Sequence, residues 1–368
     1  MKTTNRLLLI LMCFVSTMLF AQEESSDYLK HNWKYVATKM PGQWYGSNEA
    51  ELVAENVLLS QRNSGGWEKN KQYQKPFTVE EREHYIKEKN EIGGTFDNGS
   101  TILELRFLAK VYSHAKDKRY KEAFEKGLNY IFTAQYENGG WPQYFPPRKG
   151  NVSYSGHITY NDNAMVNAMR FLKEIASSNK EYAPLELNKD FEVKAQQSFN
   201  KGIECILKTQ IVVKGVPTVW CAQHDEITLA PANARAYELK SYSGSESVEI
   251  MMLLMNVKNP SKEIIAAVNG AEKWFETHQI DGIKLETVTQ ADGQPNKVVV
   301  EDKNAPRIWA RFYDLDTEKP YFCDRDGIKR KTFAEMGYNR RNGYDWYTYS
   351  PENALNKYAQ WKSENHIN

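Results

Sequence analysis

Apolar residues recur at helical spacing through most of this chain. Phe124, Leu128 and Ile131 share one face of a stretch, as do Phe199, Ile203, Ile206 and Leu207 in another. A second set of helical stretches carries Ile102, Leu105, Arg106 and Leu108, then Met165, Ala168, Met169 and Leu172. The almost wholly apolar residues 248–255 complete that set. Strand signals are few: residues 283–288 alternate, residues 298–300 run apolar, and Asp292-Gly293 between them reads as a turn.

Between the helical stretches a motif returns. Gln61-Arg62-Asn63-Ser64-Gly65-Gly66-Trp67 is matched by Gln135-Tyr136-Glu137-Asn138-Gly139-Gly140-Trp141, and a degraded copy runs from Gln210 through Gly215 to Trp220. Each copy follows one helical stretch and is followed by a polar loop and another. The unit is helix, Gly-Trp turn, long loop, helix, repeated three times. Each pair must bury its apolar face against its neighbours, which favours a closed ring of helical hairpins over three unrelated hairpins sharing a turn. The expected fold is all-α dominated: a toroid of three helical hairpins, an (α/α)3 barrel, with a few short β-strands and long loops. No linker divides it.

Composition narrows the function. Across 368 residues, 48 basic and 47 acidic side chains nearly cancel, which argues against an electrostatic nucleic-acid binder. The 9 Trp, 22 Tyr and 15 Phe supply enough core material to exclude disorder. Residues 1–21 read as a signal peptide: Lys2 and Arg6 precede an apolar run over residues 7–20, too short for an anchor. Cleavage is expected near Ala21, although Leu19 is larger than the residue preferred there. The product is exported, periplasmic or secreted, without a membrane segment. Three cysteines remain, Cys205, Cys221 and Cys323, so at most one bridge can form, and Cys205 with Cys221 is the candidate pair. No Cys/His cluster has zinc spacing.

Unusual polar residues collect in the loops. Thr95-Phe96-Asp97-Asn98 and Thr159-Tyr160-Asn161-Asp162-Asn163 open two of the helices, and helix capping alone accounts for Asp97 as well as function does. Asp162, flanked by two asparagines, suits a hard cation such as calcium. Gln223-His224-Asp225-Glu226 in the third loop is open to three readings: a metal site, an acid/base pair or a solvated turn. The C-terminal third interleaves arginines with aromatics, including Arg307, Trp309, Arg311, Phe312 and Tyr313, then Arg325, Arg340, Arg341 and Tyr344. Arginine grips carboxylates bidentately and rings cover sugar faces, so an acidic glycan is the favoured ligand over isolated structural arginines.

Several segments in order then carry a resemblance: Gly65-Gly66-Trp67-Glu68-Lys69-Asn70, Asp97-Asn98-Gly99-Ser100-Thr101, Gly139-Gly140-Trp141-Pro142-Gln143, Tyr160-Asn161-Asp162-Asn163-Ala164-Met165, Trp220-Cys221-Ala222-Gln223-His224-Asp225, Trp309-Ala310-Arg311-Phe312-Tyr313 and Arg325-Asp326-Gly327. The chain resembles the pectate lyases of polysaccharide lyase family ten over residues 30–350. The resemblance implies a single catalytic domain over residues 22–368 that cleaves α-1,4-linked polygalacturonate, or pectin, by calcium-assisted β-elimination. It implies Asp162 and Asp225 as Ca2+ ligands and Arg311 as the base at C5. It also implies Lys69, Arg235, Arg325 and Arg341 as substrate-binding residues, with Arg340 able to exchange places with Arg341. Glu68 departs from the proline expected at that position. A free guanidinium loses its proton only above pH ~12, so an arginine base implies an alkaline optimum. No oligomer signal is visible and a monomer is expected. The rivals are a glycoside hydrolase, a lyase for another acidic polymer such as alginate, and a non-catalytic pectin-binding protein.

Overall fold

The computed structural model describes residues 26–367, so the export segment at residues 1–21 lies outside the described residues. Helix dominates. Strands occur only in six sheets of two strands each among the described residues, so no closed sheet barrel exists. This is the all-α-dominated class, with few short strands and long loops, that the periodicity predicts. Two compact units are formed.

One unit comprises residues up to Gly94, Ser100–Tyr130 and Ser178–Leu187. Its helices are α1 (Trp33–Lys39), α2 (Asn48–Ser60), α3 (Val79–Lys87), α4 (Ile102–Ala115) and most of α5 (Lys118–Ala134). The starts are chemically specified. Asn32 and Ser47 accept N-terminal backbone N–H groups of α1 and α2, and Thr78 with Glu81 forms a reciprocal capping box on α3. The first Gly-Trp turn fits closely on α5. A Cβ on Gly65, whose φ is +106°, would lie 2.5 Å from the Lys126 carbonyl oxygen, so only glycine can stand there. Gln61 staples the turn by donating to the carbonyls of Gly65 and Ala123, both at 2.9 Å.

The other unit contains Thr95–Gly99, Ile131–Ser177 and residues from Asn188 onward. Its helices are α6 (Ala164–Ala176), α7 (Lys189–Thr209), α8 (Glu246–Met255), α9 (Lys262–Thr277), the short α10 (Tyr338–Asn342) and α11 (Ser350–Glu364). The glutamine staple recurs. Gln135 donates to Gly139 and Ser198, and Gln210 to Thr218 and Ala267. Trp67, Trp141 and Trp220 are all fully buried, and each indole donates to the carbonyl of an earlier helix, at Val57, Ile131 and Ile206. Trp309 does the same to Phe275, a fourth copy that sequence counting passed over. At about 200 Å² apiece, burying each ring contributes roughly 5 kcal/mol before entropy is charged. The expected hairpin is present as Ile283–Thr289 paired with Pro295–Glu301. Cys205, Cys221 and Cys323 are buried free thiols, so the candidate bridge is not made.

Candidate active site

The turns that open α4 and α6 share a backbone as well as a sequence pattern. Asn98 has φ +53°, and Asp162 and Asn163 have φ +51° and +60°. Short polar side chains tolerate this left-handed region better than others, which explains the Asp and Asn there without invoking chemistry. The Asp97–Gly99 and Asn161–Asn163 turns lie in the same unit and pack against each other. Ser241-Tyr242-Ser243 repeats the start of the pattern ahead of α8, and Glu246 follows it. Asp97 and Glu246 are buried, and Asp162 is partly so.

Asp162 is the electrostatic centre of this group. Its carboxyl is raised to about 6: burial is the largest cause, Arg311 opposes it, Asp97 and Glu246 add to it, and Arg235 opposes again. Asn161 donates to Asp162 Oδ2 at 2.9 Å, and Arg311 Nη2 stands 3.8 Å from Oδ1. A carboxylate that is half desolvated and crowded by other acids favours either a proton or a cation. Asp97 and Asp162, with the Asn161 amide beside them, therefore fit a hard divalent ion.

Asp225 is placed differently. Its Oδ1 accepts from the backbone N–H groups of Ile227 and Thr228 and from the Thr228 hydroxyl. These donors, Thr228 N–H first, hold its carboxyl below the usual range. Asp314 makes the same three bonds with Asp316 and Thr317, so the turn is a structural repeat. No hydrogen bond or ion pair joins Asp225 to Asp162. Asp225 groups instead with His157 and Glu226, whose ligating atoms lie within 4.8 Å of one another. This is a possible metal-binding group of its own. The adjacent His224 is fully buried, its pKa lowered to about 4 by burial, with Nε2 accepting from Cys221 N–H at 3.1 Å. The acid-plus-histidine reading thus transfers from His224 to His157.

The arginines sort by their partners. Arg311 is 8% exposed; Nη2 donates to Asn161 Oδ1 at 3.1 Å and to Glu246 Oε1, while Nε has no partner. Burial works against its charge, but Glu246, Tyr344 and Asp162 outweigh that and hold the guanidinium above its ordinary value. Arg235 pairs through Nε and Nη2 with Glu238, which raises it likewise against burial, and its side chain remains 38% exposed. Arg340 stacks on Tyr237 at 3.8 Å and faces Tyr344 at 5.4 Å, and Tyr344 also carries Arg311 at 4.5 Å. Arg341 is tied to Asn296 and to the carbonyls of Ala334 and Met336. Of the interchangeable pair, Arg340 therefore joins the aromatic cluster, and Arg341 braces the loop. Arg325 is exposed, and its neighbours Asp324 and Asp326 pair with Arg330. Lys69 belongs to the first unit, where its neighbour Glu68 pairs with Arg62 and Lys71, an account of the departure from proline. A cleft of about 720 Å³ is lined by Asp162, Asn163, Glu246, Arg311 and Asp345 among others.

The pectic acid lyase family model matches residues 61–355. A family 10 polysaccharide lyase from Cellvibrio cellulosa is 33% identical, with a TM-score of 0.74, covering 89% of this chain and 94% of that one. A mutant of a family 10 polysaccharide lyase from the same organism, in complex with trigalacturonic acid, gives the same identity and TM-score and is covered to 95%. The chain belongs to the pectic acid lyase family. A search of curated proteins finds no match.

Membership makes this pectic acid lyase an enzyme that acts on polysaccharide, with the fold of the family 10 lyases it matches. Sequence reasoning passed over Glu246, Glu238 and Tyr237 in it, and named Arg340 only as able to exchange places with Arg341. The recurrence of the Thr-aromatic turn at Ser241-Tyr242 was a signal that pointed to Glu246. Glu238 stands three residues after Arg235, a local spacing that sequence reasoning left unused.

Proposed function

We propose that this protein is an exported, monomeric pectate lyase that cleaves α-1,4-linked polygalacturonate by calcium-assisted β-elimination. The carrying observation is the set of groups around Asp162: Asp97 beside it, with Arg311 and Arg235 as its opposing charges. The trigalacturonic acid held by the matched lyase supports the same substrate class. The family match at residues 61–355 runs through both units, which supports residues 22–368 as one catalytic domain. Residues 1–21 are proposed as the cleaved signal. Among the described residues no helix is long and apolar enough to cross a membrane.

The reaction places demands that this constellation meets. The C5 proton lies α to a carboxylate, which resists added negative charge. Calcium, held by Asp162 with Asp97, and with Asp225 of the His157 group as the second candidate ligand, would neutralise that carboxylate as a Lewis acid. Arg325 and Arg340 supply cations for neighbouring uronates. A base takes the C5 proton, a C4–C5 double bond forms, and the C4 oxygen leaves with the rest of the chain and gains a proton. No water is consumed.

Arg311 is the base implied by resemblance. Its contacts favour a second reading, in which Arg235 is the base and Arg311 grips carboxylate. Arg311 is nearly buried and held by Glu246, whereas Arg235 is more exposed and commits only Nε and Nη2. Lysine at the base position should abolish nearly all activity, and at a gripping position should leave part of it. Mass spectrometry of digested polygalacturonate tests the class: elimination leaves fragments lighter by one water than hydrolysis does. Full-mass fragments would indicate a hydrolase.

A further inference from the structure

Glu246 is 4% exposed at the first turn of α8. Its Oε1 accepts from Arg311 Nη2, and its Oε2 accepts from the Ser243 hydroxyl. That hydroxyl also accepts from the backbone N–H of Glu246 at 3.0 Å and of Ser245 at 3.3 Å. Its one proton and both lone pairs are thus committed, which fixes the carboxylate it touches. The main chain locks the same pair from the other side. Tyr242–Ser243 pairs with Phe312–Tyr313, and Gly244 N–H donates to the Arg311 carbonyl at 2.9 Å. A Cβ on Gly244 would stand 2.2 Å from the Ala310 carbonyl oxygen, so the approach requires glycine.

Arg311 has a competing partner. Asp162 Oδ1 is only 3.8 Å from the same Nη2, and a guanidinium released from Glu246 has that carboxylate within reach. A direct Arg311–Asp162 pair would remove both groups from the cleft they line. We infer that Glu246, braced by Ser243, is a positioning residue for the lyase reaction, holding Arg311 off Asp162 so that both groups stay available to substrate and cation. This rests on the proposal that Arg311 and Asp162 belong to the active site.

A double-mutant cycle on the full chain with polygalacturonate separates the two ideas. Glu246→Gln should lower kcat/KM about 100-fold, the size expected when a reacting group is misplaced by about an ångström. Ser243→Ala keeps the charge pair and should cost about 10-fold, which preserves the test if Glu246→Gln folds poorly. Both variants should need more calcium for half-maximal rate, because Asp162 is then engaged by Arg311. Added to Arg311→Ala, Glu246→Gln should cost nothing further, since its effect acts through a side chain already removed. Equal costs of Glu246→Gln in both backgrounds would overturn the inference, as would full activity of Glu246→Gln and Ser243→Ala beside an inactive Arg311→Ala. A fully active Arg311→Ala would instead remove Arg311 from the site, and the inference with it.

Discussion

Glu104→Gln should stabilise this protein at alkaline pH and do little in acid. Glu104 lies on α4 at 1% exposure, with the Trp33 indole donating to its Oε1 at 2.6 Å. Burial pushes its carboxyl from 4.5 up to about 7, and the Trp33 bond, which favours the charged form, only partly opposes this. The folded state therefore holds the proton more tightly than the unfolded chain does. Stability is whole below pH ~4.5 and is lost as the pH rises through about 7. At ~1.4 kcal/mol for each tenfold change in proton affinity, the loss approaches about 3 kcal/mol by pH ~9. Glutamine keeps an oxygen for Trp33 and cannot ionise. Urea unfolding of both proteins, followed by tryptophan fluorescence at acid and alkaline pH, measures the difference. Curves that stay parallel across the range would refute the argument, because the cost of charging Glu104 would then be absent. The matter bears on function: an enzyme proposed to work at alkaline pH operates where this residue is least favourable.

Three further outcomes are expected. Asp314→Asn should lower stability by about 1 kcal/mol in thermal melts while retaining activity, whereas Asp162→Asn should reduce kcat/KM roughly 100-fold. Asp225→Asn should cost similar stability at its matching turn and also raise the calcium needed for half-maximal rate, and an unchanged calcium requirement would leave Asp225 to the turn alone. Gln135→Ala removes donors from the Gly139 and Ser198 carbonyls and should cost about 2 kcal/mol in urea unfolding. Arg340→Ala should raise KM for polygalacturonate about 10-fold with kcat little changed, while Arg341→Ala should lower stability and leave KM alone.

What the sequence reveals depends on how local its cause is. The helical class and the Gly-Trp repeat follow from spacing, because an amphipathic face and a positive-φ glycine leave direct marks, as at Gly65 and Gly139. Asp162 is legible for the same reason: its turn repeats that of Asp97. The fourth tryptophan turn was hidden because Trp309 follows its helix at a longer interval than Trp67 or Trp141. Asp225 is open to two readings in sequence because a turn-forming aspartate and a metal-binding one look alike; the structure gives it both the turn donors around Oδ1 and the neighbours His157 and Glu226. The pairing of Arg311 with Glu246 depends on tertiary placement and on charge geometry that spacing does not encode, whereas Arg235 and Glu238 pair locally, three residues apart. Adjacent Arg340 and Arg341 point to different partners, a distinction that no linear motif carries.

The most direct test of the account is ultraviolet absorbance while purified mature protein meets polygalacturonate at alkaline pH, first with calcium and then with excess chelator. Elimination creates a carboxylate conjugated to the new C4–C5 double bond, which absorbs where the substrate does not. A rise with calcium that the chelator abolishes is the predicted result. Polymer shortened without any rise, or bound without being shortened, would contradict calcium-assisted β-elimination and leave a hydrolase or a binding protein.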